Sequence, residues 1–177
     1  MNPTLIVVIV ATLFVIIFVG AGIKIIQQAE TMIVERLGKY NRTLESGINI
    51  VIPIFDKSRK IYWRYRAMDV SGVGVVAQRL ANRIDLREQV FDFPRQNVIT
   101  KDNVTIEIDA MLYFQVTDPV RATYEIANLP NAIEKLTQTT LRNVMGELSL
   151  DECLVSRDLV NTKLRGILDE ATDKWGV

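Results

Sequence analysis

The chain has 177 residues, with 21 basic and 21 acidic side chains, one cysteine and no histidine. The zero net charge gives no indication of a polyanionic partner such as nucleic acid. The lack of histidine excludes Ser-His and Cys-His nucleophile pairs and removes the commonest general base and zinc ligand, so we predict no catalytic, cofactor or metal site.

The first apolar segment, residues 5–23 (LIVVIVATLFVIIFVGAGI), contains no charge. A helix of this length, at about 1.5 Å per residue, is about 28 Å long, close to the hydrocarbon thickness of a bilayer. We predict a membrane-spanning helix; a cleaved secretory signal is the alternative, but no Lys or Arg precedes the run. Because Lys24, Arg36, Lys39 and Arg42 all follow it, we expect the N-terminus outside and the rest of the chain in the cytoplasm.

A second apolar stretch, SGINIVIPIF at residues 46–55, ends abruptly at DKSRK. It is too short to span a bilayer as a helix, and Pro53 would interrupt one. It is therefore either a buried strand or a strand and turn that lie on the inner leaflet. The basic and aromatic residues that follow favour the headgroup layer. The candidate membrane-interface residues are Ile48, Ile50, Ile52, Pro53, Phe55, Lys60, Tyr62, Trp63, Arg64, Tyr65 and Arg66.

A glycine-containing stretch, SGVGVVA, matches the G-x-G-x-x-A form of the dinucleotide fingerprint through Gly72, Gly74 and Ala77. That fingerprint requires a parallel βαβ unit. The residues that follow are typical of antiparallel hairpins, so we interpret the stretch as a flexible loop.

The middle of the chain predicts antiparallel sheet. In VTIEIDAMLYFQV, residues 104–116, every second side chain is apolar or small, a period-two pattern that indicates a strand. The preceding Lys101, Asp102 and Asn103 form a short polar connection typical of a hairpin. Residues 31–53 also carry strand-like runs, separated by Gly38 and Gly47.

From Asp118 onward the pattern is helical. We predict helices at residues 120–126 and 131–145, each preceded by a proline, and a capping box formed by Ser149 and Glu152. Cys153 is expected to be a packed thiol. A final amphipathic helix places one apolar stripe at Val160, Leu164, Ile167, Leu168, Ala171 and Trp175. The closing KWGV is interpreted as the start of a strand in a longer protein.

Five stretches carry a family resemblance: VERLGKY, TLESGINIVIPIFDKSRKI, VITKDNVTIEIDAMLYFQVTDPVRATYEIANL, AIEKLTQTTLRNVMGELSLDECL and ILDEATDKWGV. Together they resemble the stomatin, prohibitin and flotillin superfamily, called SPFH or band 7. The resemblance runs from about Gln28 to Val177. Among the branches, the chain is most similar to bacterial stomatin-like, paraslipin-type anchored proteins.

The resemblance implies an α+β fold in three parts. These are a transmembrane anchor at residues 1–27, a β-rich antiparallel subdomain at 28–95 that lies on the membrane, and an α/β subdomain at 96–177 that is truncated before a long helix. Residues 62–83 (YWRYRAMDVSGVGVVAQRLANR) are an insertion relative to close relatives.

The resemblance also implies a function. It predicts a non-enzymatic scaffold of the bacterial inner membrane that binds lipids and assembles with copies of itself into a large ring or cage. Such a scaffold would organise a membrane microdomain and modulate a membrane-bound AAA-type protease. The alternative is a membrane-tethered enzyme, or a protease accessory subunit, whose active part lies in a missing C-terminal region.

Overall fold

The computed structural model describes residues 3–68 and 74–177, apart from the side chains of part of α1 and of residues 64–68 and 74–78. The described elements, in chain order, are α1 (Pro3–Gly22), β1 (Ile23–Ile26), β2 (Glu30–Arg36), β3 (Lys39–Leu44), β4 (Gly47–Ile50), β5 (Asp56–Ser58), β6 (Ile61–Met68), β7 (Gly74–Ala81), β8 (Ile84–Asp85), β9 (Gln89–Ile99), β10 (Thr105–Phe114), α2 (Pro119–Tyr124), α3 (Leu129–Gly146), α4 (Leu150–Val155) and α5 (Arg157–Thr172).

These elements form two compact units. Unit 1 comprises Met1–Lys60 with Asn82–Asp85, and unit 2 comprises Ile61–Ala81 with Leu86–Val177. This division differs from the subdomain boundary expected at residue 95. The reason is physical: β9 pairs with β10 along its length, and a hairpin cannot be divided between two cores.

The apolar N-terminal segment forms α1, which ends at Gly22, and Ile23 already begins a strand. Across the part of the chain that the structure describes, no helix combines the length and apolar character needed to cross a membrane. The predicted membrane-spanning helix is therefore not supported by the structure.

Unit 1 is an antiparallel β structure, as the sequence predicts. In one sheet β2 pairs with β3, β5 and β8, and in a second sheet β1 pairs with β4. The two sheets share a core of side chains that are almost completely buried: Ile26, Met32, Val34, Leu44 and Val51. The hairpin tip between β2 and β3 takes Leu37 and Gly38 through positive φ angles of 52° and 85°.

Unit 2 contains the predicted hairpin of β9 and β10. The Thr100 N–H donates to the Val104 carbonyl at 2.9 Å, and Asn103 turns the chain with a φ of 63°, which confirms the turn at residues 101–103. Inward-facing residues of the hairpin, such as Val98 and Ile108, pack against α3 and the helices that follow it. The strands β6 and β7 form a second antiparallel hairpin.

This second hairpin contains part of the glycine motif at residues 72–77. Gly74 and Ala77 lie in β7, which runs antiparallel to β6, so these residues do not open a helix after a parallel strand. Gly72 lies outside the described residues. The described part of the motif is therefore strand, and the interpretation of residues 74–77 as a flexible loop is wrong.

The helices begin close to the predicted positions. The Asp118 side chain accepts from the N–H groups of Val120 and Arg121, and the Asn128 side chain accepts from Asn131 N–H, so each proline lies inside a capped first turn. The capping box of Ser149 and Glu152 is confirmed. Cys153 is buried, and burial raises the pKa of its thiol because the thiolate would be desolvated.

The structure adds two details at the C-terminal end. Ile167 is exposed, so the buried stripe of α5 is narrower than the apolar spacing indicates. Residues Asp173–Trp175 form a 3-10 turn that Gly176 ends with a φ of 71°, and the strand expected after this turn stays a prediction. The Gly176 carbonyl accepts from the N–H groups of Thr117 and Asp118, and a side chain there would lie 2.7 Å from the Asp118 Cβ.

Candidate functional site: an apolar surface on unit 1

Four isoleucines cover one face of the strand pair formed by β1 and β4, which we call the β1–β4 pair. Ile23 lies opposite Ile50, and Ile25 lies opposite Ile48, so alternation places all four on the same side. They are 44%, 66%, 77% and 72% exposed for Ile23, Ile25, Ile48 and Ile50, whereas Ile26, which faces the other way, is buried. Such a contiguous exposed apolar patch is unusual on a soluble surface and is typical of an interaction site.

The β1–β4 pair is held close to the end of α1 by a backbone contact. The Val51 N–H donates to the Gly22 carbonyl at 2.7 Å. A Cβ at Gly22 would lie 2.6 Å from the Val51 carbonyl oxygen, a distance that does not occur between real atoms of this kind. Glycine is therefore needed at this position, because only a residue without a side chain lets the two backbones approach so closely.

The apolar face continues along the chain into the turn after β4. Ile52, Pro53, Ile54 and Phe55 are all exposed in this turn. The stretch 46–55 is thus a short strand followed by a turn, and only Val51 within it belongs to the core.

A buried carboxylate fixes this turn. Asp56 accepts from the Ile52 N–H at 3.1 Å, and its own N–H donates to the Ile52 carbonyl at 2.9 Å. Arg36 binds the same carboxylate through two hydrogen bonds of 2.7 and 3.1 Å. This bidentate pair holds the pKa of the Asp56 carboxyl below its ordinary value, against the opposing effect of burial.

Two further residues adjoin this surface. The Leu37 N–H donates to the Phe55 carbonyl at 3.4 Å, and the Leu37 side chain is exposed at the tip of the β2–β3 hairpin. The Arg42 guanidinium donates to the Ile50 carbonyl, which places a cation beside the isoleucines. We define the unit 1 apolar surface as Leu37 together with the exposed apolar side chains of β1, β4 and residues 52–55: Ile23, Ile25, Ile48, Ile50, Ile52, Pro53, Ile54 and Phe55.

Sequence reasoning identifies only part of this surface. Ile23 and Ile25 fall within the predicted transmembrane anchor at residues 1–27, and Leu37 shows no local apolar pattern, so the sequence does not mark these three as part of the surface. Their proximity to residues 48–55 depends on strand pairing between segments that are far apart in the sequence.

The remaining predicted interface residues lie at the end of a unit 1 segment or in unit 2. Lys60 is exposed at the end of the first segment of unit 1, whereas Tyr62 belongs to unit 2, where it is exposed. Trp63 is only 5% exposed, so it is an interior side chain and we leave it out of the candidate site. The backbones of Arg64, Tyr65 and Arg66 lie in β6, and their side chains lie outside the described part of the chain.

The described residues show no arrangement suited to metal chemistry. Among them, no group of three or more Cys, Asp or Glu side chains could hold a metal ion. Asp56, the carboxylate that is most buried in this region, is occupied by Arg36 and by backbone N–H groups. What unit 1 presents is therefore an apolar contact surface supported by polar interactions beneath it.

The described fold combines an antiparallel β unit with a hairpin and helices, a mixed α/β content that agrees with an SPFH domain. Comparison of sequences identifies this class: the family model described as "SPFH domain / Band 7 family" matches residues 24–177. The chain belongs to the SPFH domain / Band 7 family.

Individual relatives come from all three domains of life. The chain is 44% identical over 168 residues to an uncharacterized protein of Mycobacterium tuberculosis. These aligned residues are 95% of this chain and 38% of the relative. It is 39% identical over 165 residues to a stomatin homolog of Pyrococcus horikoshii, with 93% and 53% covered. It is 33% identical over 155 residues to the mitochondrial stomatin-like protein 2 of Rattus norvegicus, with 88% and 38% covered. The chain thus spans about half, or less, of the length of these relatives.

Proposed function

We propose that this chain is part of a membrane-attached, non-enzymatic scaffold that contacts lipid through the unit 1 apolar surface. The exposure of four isoleucines on one face of the β1–β4 pair is the observation on which the proposal rests. Burying apolar area contributes about 25 cal/mol per Å², so a lipid boundary would stabilise side chains that water does not. The membership of the chain in the stomatin-containing family gives further support.

The N-terminal helix provides a second apolar element beside this surface. Most of its described apolar side chains are exposed, and the large exposed ones are Ile9, Leu13, Ile16, Ile17 and Val19. The hydrogen bond between Gly22 and Val51 links the end of this helix directly to the β1–β4 pair. We include α1 in the proposed membrane attachment, because five large apolar side chains that are exposed on one helix favour an apolar surrounding.

The single-pass topology is a finer part of the proposal and rests on sequence alone. It has the N-terminus outside and the SPFH domain in the cytoplasm of a bacterial inner membrane. Its support is the uncharged run at residues 5–23 and the basic residues that follow it. It predicts that a cysteine placed at Asn2 reacts with a membrane-impermeant reagent added outside intact cells. Lack of labelling there, with labelling after lysis, would mean that the segment does not cross.

Assembly and partners form the remaining part of the proposal. The family membership supports self-assembly into a large ring or cage that confines a patch of membrane. It also supports association with a membrane-bound protease, which the scaffold would modulate. The enzyme alternative gains no specific support from the described residues.

The test of membrane contact measures the depth of single labelled sites. In a Cys153→Ala background, an environment-sensitive fluorophore is attached to the full chain at an Ile48→Cys or an Ile50→Cys substitution, and the protein is reconstituted in vesicles that contain brominated lipid. We expect strong quenching at both sites, because bromine quenches only fluorophores that lie in or near the hydrocarbon.

The matched control uses another exposed apolar residue. Leu154 in α4 is 62% exposed, similar to the isoleucines, but lies outside the unit 1 apolar surface. A label at Leu154→Cys should be quenched little. Equal quenching at Leu154 and Ile48, or no quenching at either isoleucine position, would show that the unit 1 apolar surface is not the lipid contact.

A further inference from the structure

Three cationic side chains lie on one side of the β2–β3 hairpin, close to its tip. In this antiparallel pair Arg36 lies opposite Lys39, and Arg42 lies opposite Val34. Residues that lie opposite each other point to the same side of a sheet, and so do residues two apart along a strand. Because Val34 is buried in the core, all three cations point to the core side of this sheet, where they are exposed at its margin. We call Arg36, Lys39 and Arg42 the cationic cluster.

The cationic cluster adjoins the unit 1 apolar surface at two points. The Arg42 guanidinium donates to the Ile50 carbonyl. Arg36 binds the Asp56 carboxylate, which in turn accepts from the Ile52 N–H. Two guanidinium groups therefore lie beside a segment whose own side chains, Ile50 and Ile52, are exposed and apolar.

The charge of the cationic cluster is only partly neutralised. The hydrogen bonds from Arg36 are the main cause of the lowered pKa of Asp56, and the positive charge of Arg42 contributes to it. Among the described residues, neither Lys39 nor Arg42 forms an ion pair closer than Arg42 is to Asp56. One carboxylate thus faces three cations, and the margin of the unit 1 apolar surface is positive.

An anionic phospholipid matches both parts of this arrangement. Its acyl chains are apolar, and its phosphate suits a guanidinium, which binds phosphate through two parallel hydrogen bonds, and an ammonium, which acts as a point charge. A zwitterionic headgroup contains its own cation, which opposes the cationic cluster. Each Lys or Arg near an anionic membrane surface strengthens binding about fivefold.

We propose that the cationic cluster binds the phosphate of an anionic phospholipid whose acyl chains lie on the unit 1 apolar surface. The inference rests on the proposed membrane contact and adds to it the class of lipid that this surface selects. The apolar side chains hold the acyl chains, and the cationic cluster selects the headgroup.

The experiment measures which lipid lies beside one labelled residue. The full chain with Cys153→Ala and a fluorophore at Ile50→Cys is reconstituted in phosphatidylcholine that contains about one tenth phosphatidylglycerol. The substitution keeps the backbone carbonyl that Arg42 binds. Bromine is placed on the acyl chains of one lipid or of the other. We expect brominated phosphatidylglycerol to quench as if it were enriched about fivefold or more beside the label, relative to its share of the bilayer.

A pair of matched double variants tests the role of the cationic cluster. Lys39→Gln with Arg42→Gln removes the two cations that Asp56 does not pair with and should abolish the enrichment. Lys57→Gln with Arg165→Gln changes the net charge equally and should leave it unchanged. Lys57 lies opposite Glu35 and points to the other side of the same sheet, and Arg165 is exposed in unit 2.

A single variant covers the case in which the Arg42 substitution disturbs the fold. The described residues show no side-chain hydrogen bond or ion pair of Lys39, so Lys39→Gln should fold normally. On its own it should lower the enrichment by up to about fivefold.

A further arm distinguishes a lipid headgroup from free phosphate. Adding salt should lower the enrichment, because screening weakens attraction between exposed charges. Inorganic phosphate should lower it no more than sodium chloride of the same ionic strength. A larger effect of phosphate would assign the cationic cluster to a free anion and overturn the lipid proposal.

Two other results would overturn it. One is quenching by both lipids in proportion to their share of the bilayer, which would leave the membrane contact intact and refute only the lipid preference. The other is an equal loss of enrichment in the two double variants, which would mean that net charge alone is responsible. Absence of quenching by either lipid would instead refute the membrane contact itself, and the lipid preference with it.

Discussion

At the scale of single residues, the exposed turn after β4 depends on Asp56. Its side chain has no solvent-accessible area and is held by Arg36 and by the Ile52 N–H. Replacing it with Asn keeps the shape but removes the charge that Arg36 binds. We expect Asp56→Asn to lower the urea concentration at mid-unfolding clearly, because the charge-assisted bonds are lost and Arg36 is left without its partner.

The same group gives unit 1 a defined pH dependence. Because the folded pKa of Asp56 is lowered, the unfolded chain binds more protons than the folded chain between the two pKa values. The stabilisation is fully present above the unfolded pKa of about 3.9 and is lost as the pH falls through the lower folded value. Urea unfolding measured from pH 6 to pH 2.5 should show a larger loss in the wild type than in Asp56→Asn, in which Asp102 and Glu152, whose pKa values are also lowered, still lose their contributions.

A surface ion pair provides the control for both measurements. Arg95 and Glu107 lie 3.9 Å apart, and both side chains are more than half exposed. Exposed pairs of this kind contribute about 0 to 1 kcal/mol, so Glu107→Gln should change the urea midpoint little. If Glu107→Gln and Asp56→Asn had the same effect, the bidentate contact would not be what stabilises the turn.

At the scale of elements, the junction of α1 with the β1–β4 pair depends on Gly22. We expect Gly22→Ala to destabilise the chain by about 1 to 3 kcal/mol, the usual cost of forcing extra atoms into a closely packed site. The control is Gly20→Ala in the same helix, where a Cβ would meet nothing within 4 Å. That change should stabilise by up to about 1 kcal/mol, since Ala favours helix. Unfolding in mild detergent measures both; equal effects would show that the contact with Val51 is not limiting.

The elements also show how far the sequence determines the fold. The strand β10 and the capping box at Ser149 are predictable, because alternation and cap spacing are local patterns that burial and hydrogen bonding select directly. The pairing of β1 with β4 is not predictable in this way. Its strands are separated by two others, and the apolar character of Ile23 fits a helix end as well as a strand.

The candidate site shows the same limit. The apolar residues 48–55 are visible in the sequence, yet periodicity alone does not tell an exposed face from a buried one. Trp63 illustrates the opposite error: an aromatic residue among cations fits a membrane interface, but in unit 2 it is an interior side chain. Which face of a strand is covered depends on distant elements, and local patterns carry no information about them.

At the scale of the whole molecule, the proposed scaffold requires that copies of the chain assemble, and this is separable from lipid contact. Crosslinking of the wild type in membranes should give a ladder of high-order species. The double substitution Ile48→Ser and Ile50→Ser removes two exposed isoleucines of the unit 1 apolar surface without touching the core residues Ile26 and Val51. It should reduce the fraction of protein bound to membranes, because each isoleucine loses about 1.5 to 3 kcal/mol of apolar burial at most. The species that remain bound should give the same ladder. A wild-type chain that stays monomeric in membranes would refute self-assembly, and loss of the ladder with membrane binding unchanged would mean that these isoleucines join copies of the chain and do not contact lipid.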